Sequence, residues 1–268
     1  MKMKEFAVFY HTCDKYSDLW EHFCYFFKKY WPDYDGNIYF NSEEKDFDYP
    51  GLNIINLKVG TCGFAEREIR GLCKVKEDNI LLMMDDLFLM GNVDNKALDE
   101  YYKYFLEADL DSLVFRKFPT YETTIPVNVR KAEVVVPPSS DMLSSQLAFW
   151  KKDSFIKLLN PDDGPWEMEW FGTMRANHSH LKLVCTDENV IPSLPEGGLH
   201  YGKWVEPMVE FLKRENYNKI DLEMRGYYKP NQPQPLMKKI KFKIRNYTAP
   251  SRWQIIKMAF SNRKYYWR

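Results

Sequence analysis

Two adjacent carboxylates, Asp85 and Asp86, sit in the middle of "NILLMMDDLFLMGN" (residues 79–92), a stretch that is otherwise almost wholly apolar. A buried charge without a partner costs several kcal/mol or is avoided by protonation, so acids at the end of an apolar run demand something to meet them. A divalent cation would do so. Mg²⁺ and Mn²⁺ take hard oxygen ligands and need few from the protein when the phosphates of a bound nucleotide supply the rest. The plainer alternative is a strand ending in a turn that an Asp caps. A phosphohydrolase of the haloacid type would carry D-x-D-x-[TV] at such a place, and the chain reads D-D-L-F-L instead.

A second group of chemically capable residues lies in "DDGPWEMEWFG" (residues 162–172). Pro165 suits the first helical position and puts Glu167 in the first turn, where a carboxylate complements the helix dipole. Glu169 is two positions on, about 200° around the helix, so the two acids cannot share a face. An acid beside an acceptor pocket can take the proton of an incoming hydroxyl, and Glu169 is the candidate base, with Glu167 the second candidate. Trp150, Trp166 and Trp170 could stack on sugar rings, or simply fill the core. In "PEGGLHYGKWVEP" (residues 195–207), His200 and Lys203 stand among three glycines, either a turn or a loop that closes on an anion. The exit of the first strand, "YHTCDKYSD", offers His11 and Asp14, and the helix before the acidic strand offers Arg67 and Arg70.

The elements that must hold these residues alternate. "EFAVFYH", "NIYFN", "LNIINLKVG" and "NILLMM" read as short buried strands. Between and after them, "DKYSDLWEHFCYFFKKYWPDYDG", "FAEREIRGLCKVKED", "DNKALDEYYKYFLEAD" and "SSQLAFWKKDSFIKLLN" carry apolar residues at helical spacing. "SLVFRKF" and "AEVVVPP" read as strands around a loop at residues 119–130, and a further helix starts at "GPWEMEWFGTMRAN". Such alternation predicts an α/β fold, a mostly parallel sheet flanked by helices, whose ligands sit beyond the carboxyl ends of the strands. Asp85 and Asp86 fall at such an end.

Aromatic residues make up 16% of the 268 and hydrophobic residues 45%, enough for a sizeable core. The formal charge is zero but unevenly spread: residues 224–268 hold twelve Lys/Arg and no acid, leaving 26 basic against 38 acidic side chains in residues 1–223. The reading divides the chain into a body at residues 1–228 and an extension at 229–268, in which "KPNQPQPL" links to a basic, aromatic-rich tail. The tail at residues 236–268 suits an anionic membrane surface, and the acidic body would repel a nucleic acid. Its plainer alternative is a strand and helix packed on that body. Five cysteines without a CxxC pair fit a reducing cytoplasm, and no apolar run reaches the ~18 residues of a membrane span.

The chain resembles bacterial GT-A-fold glycosyltransferases that build capsular or lipopolysaccharide glycans. The resemblance covers roughly residues 5–205 and rests on "LLMMDDLFL", "QLAFWKKDSFIKLL" and "PWEMEWFG". It implies a GT-A-like α/β domain that moves a sugar from a nucleotide-sugar donor to a glycan acceptor, often lipid-linked, at the cytoplasmic membrane face, with inversion. By the same resemblance Asp85 would contact the donor's ribose or sugar and Asp86 would ligate Mn²⁺ or Mg²⁺, which in turn binds the diphosphate. Glu169 matches the second acid of the family's W-x-x-E pattern. His200, as a metal or phosphate contact, and Lys203 would belong to a late loop closing over the diphosphate. Leu87 stands where a strict D-x-D has its second acid. The alternative is a nucleotide-sugar or carbohydrate-binding protein that keeps the fold without turnover.

Overall fold

In the computed structural model the described residues are 6–230, so the basic extension at 236–268 lies outside them. By its contacts the chain divides between Tyr228 and Lys229.

The first half runs β1 (Ala7–His11), α1 (Trp20–Tyr30), β2 (Asn37–Phe40), β3 (Asn53–Asn56), α2 (Phe64–Leu72), β4 (Asn79–Met84), α3 (Asn95–Glu107) and β5 (Ser112–Val114). The second half adds β6 (Thr124–Pro126), β7 (Glu133–Val135), β8 (Ala148–Lys151), α4 (Lys152–Leu158), α5 (Pro165–His178) and β9 (Leu183–Cys185). A small hairpin of β10 (Leu199–His200) and β11 (Lys203–Trp204) then precedes α6 (Glu206–Arg214) and α7 (Leu222–Arg225).

Nine strands form one sheet in the order β3-β2-β1-β4-β8-β5-β9-β7-β6. Following the pairings across it, β7 and β8 alone run against the other seven. The sheet is therefore mostly parallel, as the alternation of elements predicts. Successive strand residues bury into opposite layers: Val8, Tyr10, Leu81 and Met83 pack with α1, α3 and α6, while Ala7, Phe9, Ile80 and Leu82 pack with α2, α4 and α5. Both faces being covered, the central strands are apolar throughout.

Two expectations change. The single helix expected over residues 144–160 is a strand, β8, followed by the short helix α4. Ala148, Phe149 and Trp150 are buried between β4 and β5, with Phe149 in one core layer and Trp150 in the other. A four-residue apolar run has no period long enough to separate a central strand from a helix. The loop expected at residues 119–130 contains the edge strand β6.

The strand order reverses direction of travel at β1. From there β2 and β3 extend to one side while β4 begins the other, and in open α/β sheets ligands bind at such a switch point, outside the carboxyl ends. His11 closes β1 and Met84, directly before Asp85, closes β4, side by side in the pairing. Among the described residues no helix is long and apolar enough to cross a membrane.

Candidate active site

The chain leaves β4 at Met84 and turns at once, with the Leu87 amide donating to the Met84 carbonyl at 3.1 Å. Asp85 and Asp86 lie in that turn and are only 9% and 8% exposed. Burial, and then the charge of Asp86, pushes the Asp85 carboxyl up to about 7 against the pull of His11, Arg225 and Arg67. Burial likewise lifts Asp86 to about 6, opposed first by the Leu199 amide. The two acids are held differently. Asp86 Oδ2 accepts the Leu199 N–H at 2.9 Å, and its backbone carbonyl accepts that of Gly198 at 2.9 Å. Asp85 is anchored through its backbone carbonyl, which accepts the Tyr10 hydroxyl at 3.0 Å, and among the described residues no donor bonds its carboxylate.

Gly197 explains the close approach of the loop. Its φ is +78°, and a Cβ there would stand 2.3 Å from Asp86 Oδ2. Only glycine takes that backbone and leaves that room. The same loop is fastened from just past the end of β5, where Arg116 donates to the Pro195 carbonyl at 2.8 Å and to Glu196 Oε1 at 2.9 Å.

Beside the acids, the ends of β1 and β2 meet α2 around Glu68, a carboxylate with no exposed surface. His11 Nδ1 is 3.0 Å from Glu68 Oε2, Asn41 Nδ2 donates to Oε1 at 2.9 Å, and Arg67 Nε stands 3.6 Å from Oε1. Arg67 also reaches Glu43 at 3.4 Å. Burial alone would lower the His11 imidazole, but the charge and contact of Glu68 outweigh it and hold His11 above its ordinary value. Glu68 is the residue that sequence reading passes over. Its signal is positional: Ala65, Glu68 and Leu72 share one helical face, so the acid occupies a slot in the buried stripe of an amphipathic helix.

Arg225 is the other residue not singled out. It grips Asp18 with two hydrogen bonds, 2.7 and 2.6 Å, and its guanidinium lies 4.6 Å from the Tyr16 ring centroid. Its charge favours ionised Asp85 and Asp86.

On α5 the two glutamates separate as their spacing requires. Glu167 Oε2 accepts the Gly164 N–H at 2.9 Å and so closes the helix start in the helix-dipole role. Glu169 turns the other way, where Oε1 accepts the Ser145 N–H at 3.0 Å, and burial raises its carboxyl above the ordinary value against the pull of the Ser145 hydrogen bonds and, less strongly, the charge of His11. Of the three tryptophans, Trp150 is core at 1% exposure, whereas Trp166 is 55% exposed at the start of α5.

Three further candidates have surroundings of their own. Asp14 Oδ1 accepts the Glu43 amide at 3.0 Å and Oδ2 the amides of Glu44 and Lys45 at 3.0 and 3.1 Å, so its carboxylate pins the loop after β2. His200 is exposed at the hairpin end, its ring packed against Tyr201 and Tyr228. Lys203 is also exposed, across the hairpin from His200. Among the described residues no group of three or more His, Cys, Asp or Glu is placed to hold a metal ion, so His200 does not join the two acids as a third ligand. What the chain offers a cation is the pair Asp85 and Asp86, with both Asp85 oxygens uncommitted among the described residues and the Asp86 carboxylate also drawn to its own backbone amide. That pair fits a cation whose remaining ligands come from a bound phosphate.

Known structures overlap the fold in part. TarS of S. aureus, residues 1–349, superposes with a TM-score of 0.43 at 14% identity, over 70% of this chain and 59% of that one. Its complex with UDP gives 0.44 at 13%, over 71% and 59%, and its complex with UDP-GlcNAc gives 0.44 at 12%, over 82% and 69%. The chain thus spans about three fifths of the first of these. No family model and no curated protein matches the chain.

Proposed function

We propose that this protein is a glycosyltransferase that moves a sugar from a nucleotide-sugar donor to a glycan acceptor. The observation that carries the reading is Asp85: a carboxylate nine-tenths buried at the switch point of a mostly parallel sheet, without a donor to its oxygens among the described residues. The donor's nucleotide lies across the ends of β1 and β4, near His11 and Arg67, and Asp85 receives its ribose or sugar. Asp86, with Asp85, would hold Mg²⁺ or Mn²⁺, which would supply positive charge to offset that gained by the departing nucleoside diphosphate.

Glu169 serves as the base. The acceptor oxygen forms its bond to the anomeric carbon as the bond to the phosphate oxygen breaks, the nucleoside diphosphate leaves with that electron pair, and Glu169 takes the hydroxyl proton. A single displacement inverts the anomeric centre. The raised carboxyl of Glu169 brings its proton affinity closer to working pH, which favours transfer to it. A lipid-linked acceptor at the cytoplasmic face of an anionic membrane, met through the basic residues 236–268, accounts for the charge asymmetry of the chain.

The test is slow donor hydrolysis. Full-length protein is incubated with a panel of UDP-, GDP- and CMP-sugars and Mn²⁺, and the released nucleotide is measured without added acceptor. Release from one nucleotide class, absent in Glu169→Gln, supports the proposal. No release from any of them, together with no binding, overturns it.

A further inference from the structure

Glu68 sits in the buried stripe of α2 with Ala65 and Leu72, and it has no exposed surface. Pinning α2 to the sheet needs no charge there, because a buried ion pair is seldom more stable than well-packed apolar side chains of the same volume. The two oxygens of the carboxylate are used differently. Oε1 accepts from Asn41 Nδ2 at 2.9 Å and has Arg67 Nε 3.6 Å away. Oε2 stands 3.0 Å from His11 Nδ1, and among the described residues neither of those two buried atoms has another hydrogen-bond partner. With a donor and a guanidinium at Oε1, the carboxylate is left as the acceptor at Oε2, so the proton between the two residues belongs on Nδ1.

The contact at Nδ1 sets the orientation and chemistry of the other ring nitrogen, Nε2. The Phe64 ring, its centroid 5.0 Å from that of the imidazole and tilted by 49°, packs on the same ring. Held at one edge and against Phe64, His11 keeps Nε2 uncommitted, since no described residue bonds it. The ring also stands where a donor would lie. His11 closes β1 beside Met84, which leads into Asp85. Burial raises the carboxyls of Asp85, Asp86 and Glu169, and the charge of His11 is among the pulls that oppose it in all three.

We propose that Glu68 is a positioning residue of the donor site: it accepts the Nδ1 proton of His11 and so aims Nε2–H at a phosphate oxygen of the bound nucleotide sugar. The assignment rests on the transferase reading, in which the donor lies across the ends of β1 and β4. Burial and Arg67 disfavour a charged imidazole, and Glu68, together with Asp85, outweighs them. An imidazolium offers a charge-assisted hydrogen bond, which an anionic phosphate oxygen meets and a sugar hydroxyl or a base carbonyl does not match in strength.

The test is a double-mutant cycle on nucleotide binding. Glu68→Gln keeps the shape and removes the charge, while His11→Asn keeps a polar group where Nδ1 stands and removes Nε2. Binding of UDP, GDP and CMP with Mg²⁺ to the full-length chain is measured by calorimetry for wild type, both single variants and the double variant. Spectra of the ¹⁵N-histidine-labelled wild type in complex with the preferred nucleotide at pH 7 report the ring protons of His11, whose signals among the five histidines are those missing from His11→Asn. The expected result is an affinity about tenfold or more weaker in each single variant and no further loss in the double variant, with melting temperatures within a few degrees of wild type and protons on both His11 nitrogens. Losses that add, an unchanged affinity in Glu68→Gln or His11→Asn, or a His11 ring without a proton on either nitrogen overturns the positioning role and leaves the donor reading standing. If Glu68→Gln does not fold, the affinity of His11→Asn and the wild-type spectrum decide between the same outcomes. A wild type that binds none of the three nucleotides overturns both.

Discussion

Glu167 and Glu169 show how two identical side chains, two residues apart, are given different environments. Glu167 spends its carboxylate on the backbone of its own helix start, and Glu169 spends one oxygen on the Ser145 amide in the segment before β8. Replacing Glu167 by Gln should therefore lower the melting temperature by the equivalent of about 0.3–1 kcal/mol and leave turnover nearly intact. Glu169→Gln keeps shape and the Ser145 contact but cannot take a proton, so donor turnover should fall ~10²–10⁴-fold with little change in donor affinity. The pH profile supplies an independent check. The folded carboxyl of Glu169 is raised, so the active, ionised form is lost as pH falls through a value above 4.5, and the wild-type profile should carry that acid limb while Glu169→Gln does not. Steady-state kinetics on wild type and both variants across pH 4–8 measure turnover and the acid limb, and thermal melts measure the effect of Glu167→Gln on stability.

At the scale of elements, the turn after β4 and the loop before β10 form one device. Gly197 lets the loop lie against Asp86, and Arg116 holds its other end. Gly197→Ala forces a Cβ toward the Asp86 carboxylate at a positive φ, so donor-dependent thermal shift should be lost while the unliganded melting temperature drops by only a few degrees, as calorimetry would show. Much of this scale is legible in the sequence: strands β1 to β4, helices α1, α3 and α5, and the acids at a strand end follow from apolar period and from Pro165 as a start signal. What is not legible is long-range. Residues 148–151 become a strand because β4 and β5 leave a slot between them, which no local period records. Glu68 is recognisable as an acid in a buried stripe, but its partners His11 and Asn41 come from strands more than 25 residues away. Asp14 and His11 look alike as polar residues after a strand, and only the loop at 43–45 decides that Asp14 is structural.

At the scale of the whole molecule, stability and site chemistry respond to acid in opposite senses. His22, buried on α1 with Nδ1 2.8 Å from the Tyr217 hydroxyl, has its imidazole lowered to about 4 by burial. A histidine kept neutral in the fold contributes stability above its unfolded value near 6.5, and that contribution is lost as pH falls from 6.5 toward 4. Asp85 and Asp86 are raised, so their ionisation is penalised in the fold above about 7 and about 6, and that penalty fades as pH falls. The difference in melting temperature between wild type and His22→Gln, followed from pH 7 to pH 4, isolates the histidine and should narrow steadily toward the acid end. A constant difference would mean that the His22 imidazole titrates alike in the folded and unfolded chain.

The claim that joins these scales is that the acid pair at the end of β4 receives a nucleotide sugar together with a divalent cation. It is tested most directly by thermal shift of the full-length chain against a panel of nucleotide sugars, with Mn²⁺ and with EDTA, for wild type and Asp86→Ala. A ligand at 100 times its dissociation constant adds ~2.7 kcal/mol of stability, a shift of several degrees for a domain of this size. The prediction is a shift for one nucleotide class in wild type that needs Mn²⁺ and is absent in Asp86→Ala, whose unliganded melting temperature stays close to wild type because the lost Leu199 bond is offset by relief of a buried charge. No shift with any nucleotide sugar in wild type, or an undiminished Mn²⁺-dependent shift in Asp86→Ala, would contradict it.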